Sequence, residues 1–332
     1  MIEGMKNAIW KFTKIVLANK FLRIGFVITA ALLTFAVLGQ FWTPYPLSSN
    51  FGISQGPTLA HPLGTDEYGE DVLSVMMAST WPTLEVGLLT GALVALLSTL
   101  IGMIAGYYAS KVVGPVVDVF TILMLTVPGI ILVVDIYGYV KAGSITPSLF
   151  ISYAVTVLGL AITGWAFGAA QIRSQVLSLS RRDYILASKI LGEKSWRILA
   201  TQVLPPILPL AFMQFLYGVL YGVLSLTTIE FWGVLPSNLF NLGTMLNLIS
   251  TNASYLSNQW WWILGSIFPI LILGVGLGFL NIGMDEFTDP RLKKVRPLAQ
   301  MWEVEIPAGS GVMRIQVPRT PRSSGNKARG KT

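Results

Sequence analysis

The chain has 332 residues, 53% of them hydrophobic and only 12% charged, about half the charged share of an ordinary soluble domain. That excludes a water-exposed globular protein of this size. The net charge of +7 does not indicate nucleic acid, because its basic residues flank apolar runs as membrane insertion requires, and the absence of cysteine removes disulfides, thiolate metal sites and iron–sulfur clusters.

Apolar runs of the roughly 20 residues needed to cross hydrocarbon fall at 24–42, 86–109, 119–140, 145–170, 206–229 and 260–284. They predict an all-α polytopic membrane protein with six transmembrane helices. Its parts are an N-terminal segment 1–23, a transmembrane domain 24–284 and a C-terminal tail 285–332. The first run is followed by no small-x-small cleavage site and reads as a retained anchor. Of 23 Lys and Arg, Lys141 alone lies on the side opposite the rest, so both termini are expected in the cytoplasm, with the chain in the cell membrane.

In chain order, the first outer loop carries Asp66, Glu67, Glu70 and Asp71, read as a solvated first turn leading into the second span. His61, the one histidine, has no spaced partner for a metal and reads as a turn residue. Gly87 and Gly91, Gly102 and Gly106, and Gly218 and Gly222 each put two small residues on one helical face, predicting close helix packing. Pro128, before Gly129, should kink the third span near its middle. Asp135 and Glu230 lie toward the outer ends of their spans. Pro128 and Asp135 are the candidates for a translocation path.

The cytoplasmic loop 172–204 is the most punctuated segment. Ser180, with Asp183 three residues on, predicts a capped helix over 181–191, ended by Gly192 in the left-handed conformation. A second short helix is expected over 195–203, before Pro205. The first would present Tyr184, Ile185, Ala187, Ser188 and Leu191, either to the chain's own helix ends or to another protein. In the tail, residues 302–306 and 313–317 alternate at period two about a glycine-containing turn, a candidate β-hairpin. The last eight residues, 325–332, match a phosphate-loop pattern letter for letter, but no helix can follow them to complete such a site. ATP chemistry is therefore expected on another polypeptide.

Four ordered blocks resemble the dipeptide and oligopeptide class of ATP-binding-cassette importer permeases, over roughly residues 20–294. They are residues 61–71 before the second span; Tyr184-Ile185-Leu186-Ala187-Ser188-Lys189-Ile190-Leu191-Gly192 with Leu204-Pro205; residues 231–246; and residues 281–292. The resemblance implies a channel-forming subunit working with a second permease, two ATP-binding subunits and an extracytoplasmic solute-binding protein. ATP and Mg would reside on the partners, with no cofactor or metal on this chain. It further implies that Arg181, Tyr184, Ala187, Ser188, Leu191 and Gly192 couple to an ATPase. The chain departs from the pattern where Leu186, Ala187 and Ser188 stand in place of Glu-Ala-Ala, and where Glu70 stands in place of Arg.

Two other classes compete. A self-sufficient secondary transporter wants repeated halves and charges near the midplane, neither of which is evident here. A membrane enzyme wants a paired-histidine, nucleophile-elbow or aspartate-pair motif, and the sequence offers none. Peptides are the cargo that the resemblance suggests, with oligosaccharides and chelated metals as alternatives.

Overall fold

The structure is a computed structural model describing residues 19–142, 149–235, 241–252, 259–288, 301–308 and 311–318. The basic residues before Asn19 and the phosphate-loop-like run 325–332 lie outside the described residues. The chain divides into two compact units, residues 1–284 and 285–332.

The first unit is helical. Its elements are α1 (Lys20–Phe41), α2 (Val72–Tyr107), α3 (Val113–Thr126), α4 (Gly129–Ala142), α5 (Leu149–Leu179), α6 (Asp183–Ile190), α7 (Ser195–Ile198), a π turn (Leu199–Val203), α8 (Leu204–Phe231), α9 (Leu242–Thr251) and all but the last turn of α10 (Trp260–Thr288). Five helices among the described residues are long and apolar enough to cross a membrane, and α3 with α4, bent by 73° to one another, make a sixth when the pair is counted as one span. The kink expected at Pro128 is thus a full break. Proline has no amide hydrogen to donate and clashes with the preceding turn, so α3 stops at Thr126 and α4 restarts at Gly129.

Several helices outrun their apolar cores. α2 begins at Val72 and has 36 residues, well before the run at 86–109, because its first turns are rich in hydroxyls that hydropathy counts as polar. Those hydroxyls bond their own backbone, Thr80 to the Met76 carbonyl at 2.6 Å and Thr83 to that of Ser79 at 3.0 Å, and are buried. The short helix expected at 195–203 is likewise continuous with the fifth span. The chain passes through the π turn, where the Leu204 amide donates to the Leu199 carbonyl. Pro205 and Pro206 then fall in the first turn of α8, where a missing donor costs little.

α2 is the hub, packed along both α5 and α8. All three predicted glycine pairs lie in these two crossings. A Cβ on Gly91 would stand 2.7 Å from the Val219 amide nitrogen and 2.9 Å from the Phe215 carbonyl oxygen, and one on Gly218 would stand 2.8 Å from Gly91 Cα. Against α5, a Cβ on Gly102 would lie 2.7 Å from the Ala169 carbonyl oxygen, and one on Gly106 would lie 2.7 Å from that of Arg173. Backbone therefore meets backbone, the contact by which helices associate in lipid, where no hydrophobic force draws them together. α1 closes on α10 at its start, where Asn19 accepts from the Phe21 and Leu22 amides and donates to the Gly283 carbonyl.

The loop between α1 and α2 is folded, and its acids are not a solvated first turn. Asp71 is buried, caps α2 by accepting from the Ser74 amide at 2.9 Å, and holds His61 Nδ1 at 2.9 Å. His61 in turn packs between the Tyr45 and Phe51 rings. Asp66, also buried, accepts from the Tyr68 and Glu70 amides, both at 2.9 Å. The carboxylates are spent on loop amides that would otherwise be buried unpaired.

In the second unit, β1 (Met301–Ala308) pairs antiparallel with β2 (Gly311–Pro318), with Trp302 opposite Val317 and Val304 opposite Ile315. This is the hairpin that the alternation predicted; its turn residues 309–310 lie outside the described residues.

Two predictions follow from this packing. Gly91→Ala forces a methyl group onto α8 backbone and is expected to cost about 1–3 kcal/mol. Gly274→Ala, where a Cβ meets nothing within 4 Å, should be neutral or slightly stabilising; denaturation midpoints of the purified protein in detergent compare the two. The second concerns Asp66, whose carboxyl is pushed above its ordinary value of 3.8 mainly by burial, with the Glu67 charge adding and the Glu70, Tyr68 and Gly69 amides opposing. The fold therefore favours the neutral acid, and the stability this confers is full below the ordinary value and lost as pH rises through the raised one. Asp66→Asn should slow proteolysis of the loop at neutral pH and lose that advantage in acid, whereas Asp66→Ala, which removes the acceptor, should accelerate it at both.

Candidate functional site

Between α5 and α8 the chain makes a two-turn outrigger, α6, and then returns. α5 ends at Leu179, and Ser180 continues its last turn, its hydroxyl donating to the Leu177 carbonyl at 3.0 Å. The expected Ser180 cap is therefore absent. Arg182 is the N-cap, without a side-chain hydrogen bond, and Asp183 sits in the first turn, where a carboxylate complements the helix dipole. The other end is as expected. Gly192 has φ +77°, its amide donates to the Lys189 carbonyl at 3.1 Å, and the Glu193 amide donates to that of Ser188 at 3.1 Å. These paired bonds are a Schellman closure, which a left-handed residue makes possible.

An eight-residue helix is about two turns, so its faces are set by its anchors. Ile185, in the stripe expected to face either the chain's own helix ends or another protein, is fully buried on the former. It belongs to one cluster with Met103 and Tyr107 at the end of α2, Ile172, Val176 and Leu179 of α5, and Ile198, Val203 and Ile207. Burying that side chain is favourable by roughly 1.5–3 kcal/mol, and it rotates Leu186, Ala187, Ile190 and Leu191 outward. Ile190 and Leu191 are 86% and 85% exposed, Trp196 beyond the turn is 67% exposed, and Tyr184 lies at the edge of the patch. Arg181 and Gly192 are also exposed.

Ser188 faces inward. Gln202 of the π turn donates to its hydroxyl at 2.8 Å and to the Glu193 carboxylate at 3.0 Å, and Glu193 also pairs with Arg197 at 3.2 Å. Lys189 Nζ lies 4.4 Å from the centre of the Tyr107 ring, an attraction of cation to ring face. Leu186, Ile190, Trp196 and Gln202 went unidentified in the sequence. The first three are apolar side chains in a charged loop, a signal that was available; the Ser188–Gln202 bond leaves no trace at their separation.

The two path candidates are not brought together. Pro128 is exposed at the break, whereas Asp135 is exposed farther along α4, on the side away from Val133 and Tyr137, which pack on α5. Asp135 does not line the cavity at the break. A half-buried ion pair and a buried acid lie elsewhere. Asp118 of α3 pairs with Arg173 of α5. Glu230, at the end of α8, is buried and accepts from the Asn241 side-chain amide. Asn241 in turn caps α9, in a capping box with Thr244, and the Leu242 backbone amide donates to Thr83 of α2 at 3.0 Å. α9 is thus fastened to the ends of α2 and α8. Among the described residues, no group of three or more His, Asp or Glu is placed to hold a metal.

Comparison with known proteins places this arrangement. The chain is 28% identical over 280 residues to the dipeptide transport system permease protein of Bacillus subtilis, covering 83% of each chain. It is 24% identical over 295 residues to the oligopeptide transport system permease protein of the same organism, covering 87% of this chain and 90% of that one. To the di/tripeptide transport system permease protein of Pseudomonas aeruginosa it is 25% identical over 280 residues, with coverage of 81% and 88%. A family profile described as the binding-protein-dependent transport system inner membrane component matches residues 98–294. That match takes in more than half the chain and the whole of the α6 loop, and the chain belongs to this family, as a multi-pass permease subunit that transports and is not an enzyme.

Proposed function

We propose that this chain is one of two permease subunits of an ATP-driven peptide importer, and that α6 is the element through which partner ATPases move it. Peptides are the cargo named for the relatives above. The observation that carries the coupling reading is the outward patch Leu186, Ala187, Ile190 and Leu191, presented by a helix whose opposite side is seated on α2, α5 and α8 through Ile185. An apolar patch raised on a firm seat suits insertion into a groove of another protein. Arg181, Tyr184 and Trp196 would border that contact, with Gly192 and Ser188 fixing its shape. Leu186 stands where related permeases carry glutamate, so the contact would be apolar there.

In this reading two ATP-binding subunits hold ATP and Mg, an external solute-binding protein delivers cargo, and both termini lie in the cytoplasm. ATP-driven closure of the ATPases would displace α6, and the shared cluster would carry that motion into three spans, exchanging inward- and outward-facing states. The family assignment favours this over a self-sufficient secondary transporter.

Gly192→Val places a β-branched residue at φ +77° and is expected to leave the protein in the membrane while abolishing peptide uptake. Normal uptake by that variant would overturn the coupling role. Ile190→Ala should change stability by no more than about 0.5 kcal/mol yet release the ATPase on purification. Ile185→Ala should cost about 2–5 kcal/mol. Retention of the ATPase by the Ile190 variant would place the contact elsewhere.

A further inference from the structure

The break between α3 and α4 opens on a cavity of about 380 Å³, walled by α2, α3, α5 and α8. Its polar groups are the Gln214 amide and the hydroxyls of Thr163, Tyr217 and Tyr221, set among Met124 and Phe167; among the described residues no carboxylate, ammonium or guanidinium lines it. The wall is built around these groups. A Cβ on Gly129 would stand 2.1 Å from the Tyr221 hydroxyl and 2.3 Å from that of Thr163, and one on Gly168 would stand 2.7 Å from Gln214 Oε1. Gln214 is itself oriented by donating to Gln171 at 2.7 Å. α3, one half of the broken helix pair, is tied to α5 by the Asp118–Arg173 pair and by the Phe120 ring stacked on Trp165.

Non-helical backbone midway along a membrane span persists only where protein buries it or where it lines a water-filled space, and broken helices commonly mark such a space. Pro128 is exposed on this chain, and its neighbours Val127 and Gly129 line an open cavity that carries hydroxyls, an arrangement that fits the second condition. We propose that this cavity is the chain's share of the translocation path, and that it engages peptides through their backbone amides without selecting side-chain charge. Hydroxyls and amides both donate and accept, so they match the C=O and N–H that every peptide residue offers. A fixed charge would bind one class of cargo too firmly to release it and would repel the other. The cargo part of this inference rests on the importer reading; the hydrated cavity does not.

The absence of cysteine makes the test direct. Tyr217→Cys and, as an independent second site, Phe167→Cys are introduced into the chain assembled with its partners in sealed vesicles, with Leu271→Cys on the exposed apolar side of α10 as control. They are then exposed to a water-soluble, thiolate-specific reagent. Both cavity positions should react at least about tenfold faster than Leu271, because a thiol ionises in water and not in lipid. Trialanine, Ala-Lys-Ala and Ala-Glu-Ala, delivered through the binding protein, should slow the labelling alike. Reaction at neither cavity position above the control, with or without ATP, overturns the path. Protection by only one charge class, or by none while the vesicles still import peptide, overturns the backbone reading. Reactive cavity cysteines in vesicles that import no peptide sustain the hydrated path and overturn the peptide cargo instead.

Discussion

Backbone contact between α2 and its neighbours α5 and α8 is the constraint on which the rest depends. In lipid, apolar side chains gain nothing by leaving the solvent, so helices associate through close fit and hydrogen bonds. Gly87, Gly91, Gly102 and Gly106 give α2 two flat faces, one for each neighbour. Ser98 adds a hydrogen bond across the α5 crossing, its hydroxyl donating to the Trp165 carbonyl at 2.8 Å. With α5 and α8 fixed on α2, the other spans are placed at the edges of this triad: α1 against α2, the broken α3–α4 span against α5, and α10 against α1.

The same triad determines what a displacement of α6 can do. Its anchor cluster draws on the ends of α2, α5 and α8 together, so α6 is seated on all three at once. Two polar links supplement it, Lys189 over Tyr107 and Gln202 to Ser188. Toward the other end of the bundle, α9 is bonded to Thr83 of α2 and Glu230 of α8. The α3–α4 pair joins the triad at its side, through Asp118–Arg173, the Phe120 ring stacked on Trp165 and the packing of α4 on α5.

Much of this was legible in the sequence where the physics is local. Long apolar runs find helices, proline interrupts them and Gly192 ends one, because each effect acts within a turn. The upstream half of α2 was missed for a physical reason: Ser74, Ser79, Thr80 and Thr83 are polar by composition but buried in the fold. Ser180 was read as a cap although its hydroxyl has a nearer partner in the helix it follows. Two turns carry too little periodicity to tell that Ile185 seats α6 while Leu186 faces outward. The Asp118–Arg173 and Glu230–Asn241 pairs depend on the tertiary fold, and Asp66 and Asp71 look like solvated acids until the loop closes over them.

The π turn at Leu199–Val203 has a geometric consequence of its own. A π turn accommodates one more residue than the α-helix around it, and one residue is about 100° of helical rotation. α8 leads through this turn into α7, so the extra residue sets the azimuth at which the loop bearing α6 leaves the bundle. A chain one residue shorter there would keep every span in register and yet turn α7 and Trp196 to a different compass bearing. The accessory residue acts as a phase shifter, separating the aim of the loop from the packing of the membrane helices that carry it.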